Sequence, residues 1–95
     1  MSAVEVRGFG DLSRLFTERG WPFPLLVELP EAIKASELAL RLDIPREKIE
    51  IVFINGRAQS MEHMVAPGDR VAFVPPGTPG PYRVILGFVQ KSGER

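Results

Sequence analysis

A histidine beside a carboxylate is the smallest pairing that can do acid–base work, and the chain offers it once, at Glu62-His63 within Ser60-Met61-Glu62-His63-Met64. His63 is the chain's only histidine and there is no cysteine, so no second ligand or nucleophile stands in register with it. The pair therefore reads as surface or packing, with Met61 and Met64 as core fillers rather than soft metal donors. Glu47, Lys48 and Glu50 read as a solvated charge cluster. Gly8-Phe9-Gly10-Asp11-Leu12-Ser13 imitates a dinucleotide-binding fingerprint, with Glu28 about 20 residues on. The imitation is shallow, because Ser13 stands where the third glycine belongs, Pro22 and Pro24 interrupt the crossover, and the remaining chain cannot build a doubly wound sheet. No catalytic residue, cofactor site or metal site is expected, and the chain reads as no enzyme.

Composition narrows the rest. Ninety-five residues make one domain, and 44% of them are hydrophobic, enough for a single modest core. Twelve Lys plus Arg balance twelve Asp plus Glu, which points away from nucleic acid as the main partner. Absence of cysteine excludes a disulfide scaffold and fits a reducing compartment. Met1 to Gly10 lacks a secretion signal's basic and apolar regions, and no window approaches the ~20 apolar residues of a membrane span. A cytoplasmic protein without a membrane partner is expected. Nine prolines and nine glycines exclude a long-helix bundle and leave short elements joined by turns.

Those elements follow in order. Val4, Val6 and Phe9 against Glu5, Arg7 and Gly8 predict a half-buried first strand. Asp11 is placed to cap a short helix carrying Leu12, Leu15 and Phe16, ended by Gly20. Trp21-Pro22-Phe23-Pro24 is an apolar loop, expected to cover one end of the core or to serve as a partner patch. Leu25, Val27 and Leu29 share a face of a second strand that Pro30 terminates. Ala35, Leu38, Ala39 and Leu42 form the stripe of the main helix, with Asp43 at its left-handed end and Pro45 beyond. Ile49 to Ile54 is apolar on both faces apart from Glu50, as in the interior of a sheet. Asn55-Gly56 predicts a type I′ turn returning through Arg57-Ala58-Gln59, and Ala66-Pro67-Gly68-Asp69 a type II turn into a last strand, Arg70 to Val74, stopped by Pro75-Pro76. This is an α+β domain, a mixed sheet on one main helix with a short extra helix, over residues 1–76.

The combination Val52-Phe53-Ile54-Asn55-Gly56-Arg57, Pro67-Gly68-Asp69-Arg70-Val71 and Phe73-Val74-Pro75-Pro76 resembles the ubiquitin-like sulfur-carrier family of ThiS and MoaD. Extended back through Ala35 to Pro45 and Val4 to Leu12, the resemblance covers about four-fifths of the chain. It implies the β-grasp fold, in which a sheet wraps around a helix. It also implies that function sits in a flexible Gly-Gly tail, whose terminal carboxylate a partner adenylating enzyme activates with ATP and which becomes a thiocarboxylate donating sulfur to thiamin or molybdopterin synthesis. Glycine suits that role because a tail without Cβ atoms threads a narrow slot.

Here this sequence departs from the pattern. Residues 77–81, Gly77-Thr78-Pro79-Gly80-Pro81, form a stiff spacer, and 14 residues follow from Tyr82 to Arg95 with no diglycine. The encoded end, Ser92-Gly93-Glu94-Arg95, is expected to be a poor substrate for adenylation. Trimming to Gly80 would cut a Gly-Pro bond, which most proteases tolerate badly. Residues 82–95 form an apolar extension whose Tyr82, Val84, Leu86 and Phe88 would share a strand face. It is expected either to pack on its own domain or to bind a partner by strand addition.

The site residues singled out are therefore Phe73, Pro75, Pro76, Gly77, Gly80, Tyr82, Val84, Leu86 and Phe88, as tail or partner contacts. The expected function is that of a non-enzymatic binding protein, monomeric or weakly dimeric. Its partner would be an adenylating enzyme or an enzyme of the molybdopterin or thiamin pathway. A carrier matured by cleavage and a small RNA-binding regulatory domain are the alternatives, the last disfavoured by zero net charge.

Overall fold

A computed structural model describes residues 3–77 of the chain. Ten short elements succeed one another: strand β1 (Ala3–Gly8), helix α1 (Asp11–Glu18), strands β2 (Leu25–Glu28) and β3 (Ile33–Lys34), helix α2 (Ala35–Arg41), a 3-10 turn (Arg46–Lys48), and strands β4 (Ile51–Ile54), β5 (Arg57–Gln59), β6 (Met64–Val65) and β7 (Arg70–Val74). Five strands form one mixed sheet in the order β2-β1-β7-β4-β5, while β3 and β6 pair separately. The first and last strands, β1 and β7, run parallel at the centre, with Val6 opposite Val71 and Gly8 opposite Phe73. All other pairings are antiparallel. This is the β-grasp arrangement, and the strand expected over Ile49 to Ile54 is interior as expected but begins at Ile51.

One core joins the sheet to both helices. Val4, Val6, Val52, Ile54, Val71 and Phe73 from the sheet meet Leu12 and Phe16 of α1 and Ala35, Leu38 and Ala39 of α2. Leu38 is fully buried at its centre, and truncating such a leucine typically costs about 2–5 kcal/mol. The two helices are of near-equal length, eight residues in α1 and seven in α2. The first-strand periodicity needs one correction: Val4, Val6 and Gly8 occupy the buried face, and Phe9 lies beyond the strand on the other side. A Cβ on Gly8 would stand 2.8 Å from Cβ of Leu12 and 3.0 Å from Cε1 of Phe16, so glycine lets α1 lie directly on β1. Asp11 is not a cap either. Gly10 holds the N-cap position without a side-chain hydrogen bond, and Asp11 opens the helix, where its negative charge complements the dipole.

The left-handed positions fall where turn chemistry places them, Asn55 and Gly56 at φ 53° and 86° and Asp43 at φ 56°. The end of α2 is also held from outside. Arg19 donates from Nη1 to the carbonyl of Leu42 and from Nη2 to that of Asp43, both at 2.6 Å, satisfying acceptors that the helix leaves open. Its guanidinium lies 4.8 Å from the ring centroid of Trp21, which in turn meets Phe16 edge-on at 5.1 Å. The Trp21–Pro24 loop thus covers the core with Trp21, while Phe23 stays half exposed. The β3–β6 pair is absent from the sequence reading, since two residues a side are too few for periodicity to register.

Candidate functional site

The last described strand, β7, is the middle strand of the sheet. At the end of β7 the carbonyl of Phe73 accepts from the Phe9 N–H at 3.1 Å and that of Val74 from the Glu50 N–H at 2.8 Å, so both neighbours hold it to its last residue. Pro75 then ends the ladder for want of an N–H. It is buried, and a Cβ on Gly10 would lie 3.0 Å from its Cγ. Pro76 and Gly77 are exposed, Gly77 with φ 82°. Gly80, Tyr82, Val84, Leu86 and Phe88 lie outside the described residues. Phe73, singled out as a tail or partner contact, is fully buried among Val4, Val6 and the helices and serves packing instead.

Beside this exit lies the sheet face turned away from the helices. Register fixes its make-up. Arg7 pairs with Ala72, Ala72 with Phe53 and Phe53 with Ala58 in one row; Leu26 pairs with Glu5 and Glu5 with Arg70 in the next. A depression of about 500 Å3 there is lined by Glu5, Arg7, Phe9, Phe53, Arg70 and Ala72. Arg7 donates to Glu5 at 3.2 Å along its rim. Its lining joins the apolar Phe9, Phe53 and Ala72 to a charged border of Glu5, Arg7 and Arg70.

The residues that suggested chemistry are not brought together. His63 is exposed, and what it contributes is its backbone carbonyl, which accepts from the Ala35 N–H at 2.9 Å. Met61 fills the core as expected, but Met64 is 49% exposed and does not. Among the described residues no group of three or more His, Cys, Asp or Glu is placed to hold a metal, and no helix is long and apolar enough to cross a membrane. The glycines of the dinucleotide-like motif have packing reasons, Gly8 under α1 and Gly10 beside Pro75.

Sequence reasoning also missed a lock between two turns. Asn55 donates from Nδ2 to Oδ1 of Asp69 at 2.9 Å and accepts at Oδ1 from the Arg70 N–H at 2.9 Å, while Oδ2 of Asp69 accepts from the Ala66 N–H at 2.8 Å. The Asn-Gly and Gly-Asp-Arg pieces of the motif, 14 residues apart, are therefore halves of one structure.

A five-stranded mixed sheet with parallel terminal strands, grasping two helices, defines a small β-grasp protein. The ThiS family model matches residues 15–80, and the chain belongs to the ThiS family. Proteins of this family are sulfur carriers, not enzymes, and work with partner proteins in sulfur transfer. Comparison with curated proteins gives no match.

Proposed function

We propose that the chain is a non-enzymatic, protein-binding member of this sulfur-carrier family. Its partner is an adenylating, ubiquitin-activating-type enzyme or an enzyme of molybdopterin or thiamin synthesis. The observation that supports this reading best is the β7 exit. Where the family's resemblance implies a slender glycine arm, this chain has a packed Pro75, then Pro76-Gly77-Thr78-Pro79-Gly80-Pro81 and an apolar run, and no two glycines are adjacent anywhere in it. A proline-rich sequence with bulky residues beyond it is a poor fit to a slot shaped for glycine. The sheet face beside the exit suits a protein surface.

The test is to incubate the full chain with ATP and the adenylating enzyme of its own cell. A stable complex is expected, with no ATP–pyrophosphate exchange above that of the enzyme alone; exchange driven by the chain refutes the reading. A second reading, a carrier matured by cleavage, draws on Gly77, which is exposed at the edge of the fold with φ 82°. A cut after it would leave a glycine carboxylate projecting from the sheet.

A further inference from the structure

The face of the sheet opposite the helices holds two side chains that are more buried than their described surroundings account for. Val74 is 0% and Phe53 5% exposed, yet neither belongs to the cluster formed by the sheet's inner face and the two helices. Directly across the strands from Phe53 stand Ala72 on one side and Ala58 on the other. Alanines flanking a phenyl ring in the plane of a sheet cannot cover its upper side, because their methyl groups are shorter than the ring stands high. Among the described residues, α1, α2 and the β3–β6 pair all contribute to the cluster on the other face. A covering layer for Phe53 and Val74 must come from elsewhere.

We propose that residues 82–89 of the same chain supply it, lying across the outer face of the five-stranded sheet with Tyr82, Val84, Leu86 and Phe88 turned toward Ile51, Phe53, Ala72 and Val74. The alternation at 82, 84, 86 and 88 gives an extended segment one continuous apolar side. Reach is sufficient. Seven residues lie between Val74 and Tyr82, and the eight steps of a chain extended at roughly 3.3–3.6 Å each span at most about 26–29 Å. With β7 at the centre, no strand lies more than two spacings of ~4.8 Å, about 10 Å, away, so the segment can be delivered to any strand of the sheet. The intervening Pro75-Pro76-Gly77 and Pro79-Gly80-Pro81 allow the reversal, since Gly77 already has φ 82° as the chain leaves β7.

The inference concerns the same sheet face that the functional reading above offers to a partner, but it is argued from the burial of Phe53 and Val74 and not from what the chain binds. It does bear on that reading. A partner that docks beside the β7 exit meets residues 82–89 in the same place and must either displace them or rest on them.

The test uses the full chain. Nuclear Overhauser contacts are expected between the Leu86 or Val84 methyls or the Phe88 ring and the Phe53 ring or Val74 methyls. In an equal mixture of carbon-13-labelled and unlabelled chain, isotope filtering must remove those contacts. Their persistence would mean that a second copy covers the face, and their absence from the uniformly labelled sample that nothing in this chain does; either overturns the proposal. As an independent readout, the full-length Leu86→Asp, Phe88→Asp double variant is expected to raise the fluorescence of an apolar-surface dye several-fold and to shift the Phe53 ring resonances. Unchanged dye binding together with unchanged Phe53 resonances contradicts it. Should that variant fail to fold, the contacts in the unaltered chain still decide.

Discussion

Cutting the bond between Asn55 and Asp69 tests whether the family motif is one structural unit. Asn55→Gly keeps the left-handed backbone at φ 53° but removes the Asn55 side chain's two hydrogen bonds, to Asp69 and from the Arg70 N–H. Each such bond contributes about 0.5–1.5 kcal/mol net, and at this exposed turn the lower half applies, giving about 1–2 kcal/mol for the pair. Asn55→Ala loses the same bonds and adds the left-handed penalty of about 1–2 kcal/mol, for a total of about 2–4 kcal/mol. Asp69→Ala removes the shared bond and the one from the Ala66 N–H, again about 1–2 kcal/mol. Because a single bond is common to both residues, the Asn55→Gly, Asp69→Ala double variant should be milder than the sum of the singles by about 0.5–1 kcal/mol. Urea unfolding followed by the fluorescence of Trp21, the chain's only tryptophan, supplies the four free energies. Additivity of the two singles, or an Asn55→Ala no worse than Asn55→Gly, refutes the lock.

Further expectations concern the scaffold. Gly8→Ala should destabilise by about 1–3 kcal/mol, since its Cβ would meet Cβ of Leu12 at 2.8 Å, and a urea midpoint equal to that of the unaltered chain would show that α1 does not lie on β1 as described. Arg19→Ala should cost about 2 kcal/mol through two charge-assisted bonds to the end of α2, and Arg19→Lys should recover less than half of it because an ammonium cannot fork between two carbonyls; full recovery in the thermal midpoint would argue for charge alone. Asp43→Gly should stabilise by about 0.5–1 kcal/mol, as glycine adopts φ 56° without strain and the exposed contact to Arg19 at 4.0 Å contributes little. A loss of stability in the same measurement would assign Asp43 a larger role.

Strands and turns were legible where local chemistry is decisive. Alternation marked β1, Asn55-Gly56 marked the hairpin and Pro75 marked the end of β7, because each acts through its own residue's backbone. Contacts between distant segments were not. The Asn55–Asp69 bond, the Arg19 clasp on Leu42 and Asp43 and the β3–β6 pair join residues 14 to more than 20 positions apart, and no periodicity announces them. Gly8 shows how a motif misleads. In sequence it resembled a phosphate-binding glycine, and in the fold its missing Cβ makes room for Leu12 and Phe16. The end of the last strand before Pro75 was readable from the prolines. Phe73 was misplaced, because alternation shows which residues share a face but not which face the helices cover.

The central claim is that a carrier-family fold is here joined to an apolar segment in place of a reactive glycine arm. Peptide-resolved mass spectrometry of the protein taken from its own cells tests this most directly. Peptides carrying Tyr82 to Val89 should be recovered in the same amount as peptides from β4 and β7, joined through an intact Gly80-Pro81 bond. A native form ending at Gly77 or Gly80, above all one with sulfur in place of a carboxylate oxygen, would contradict it.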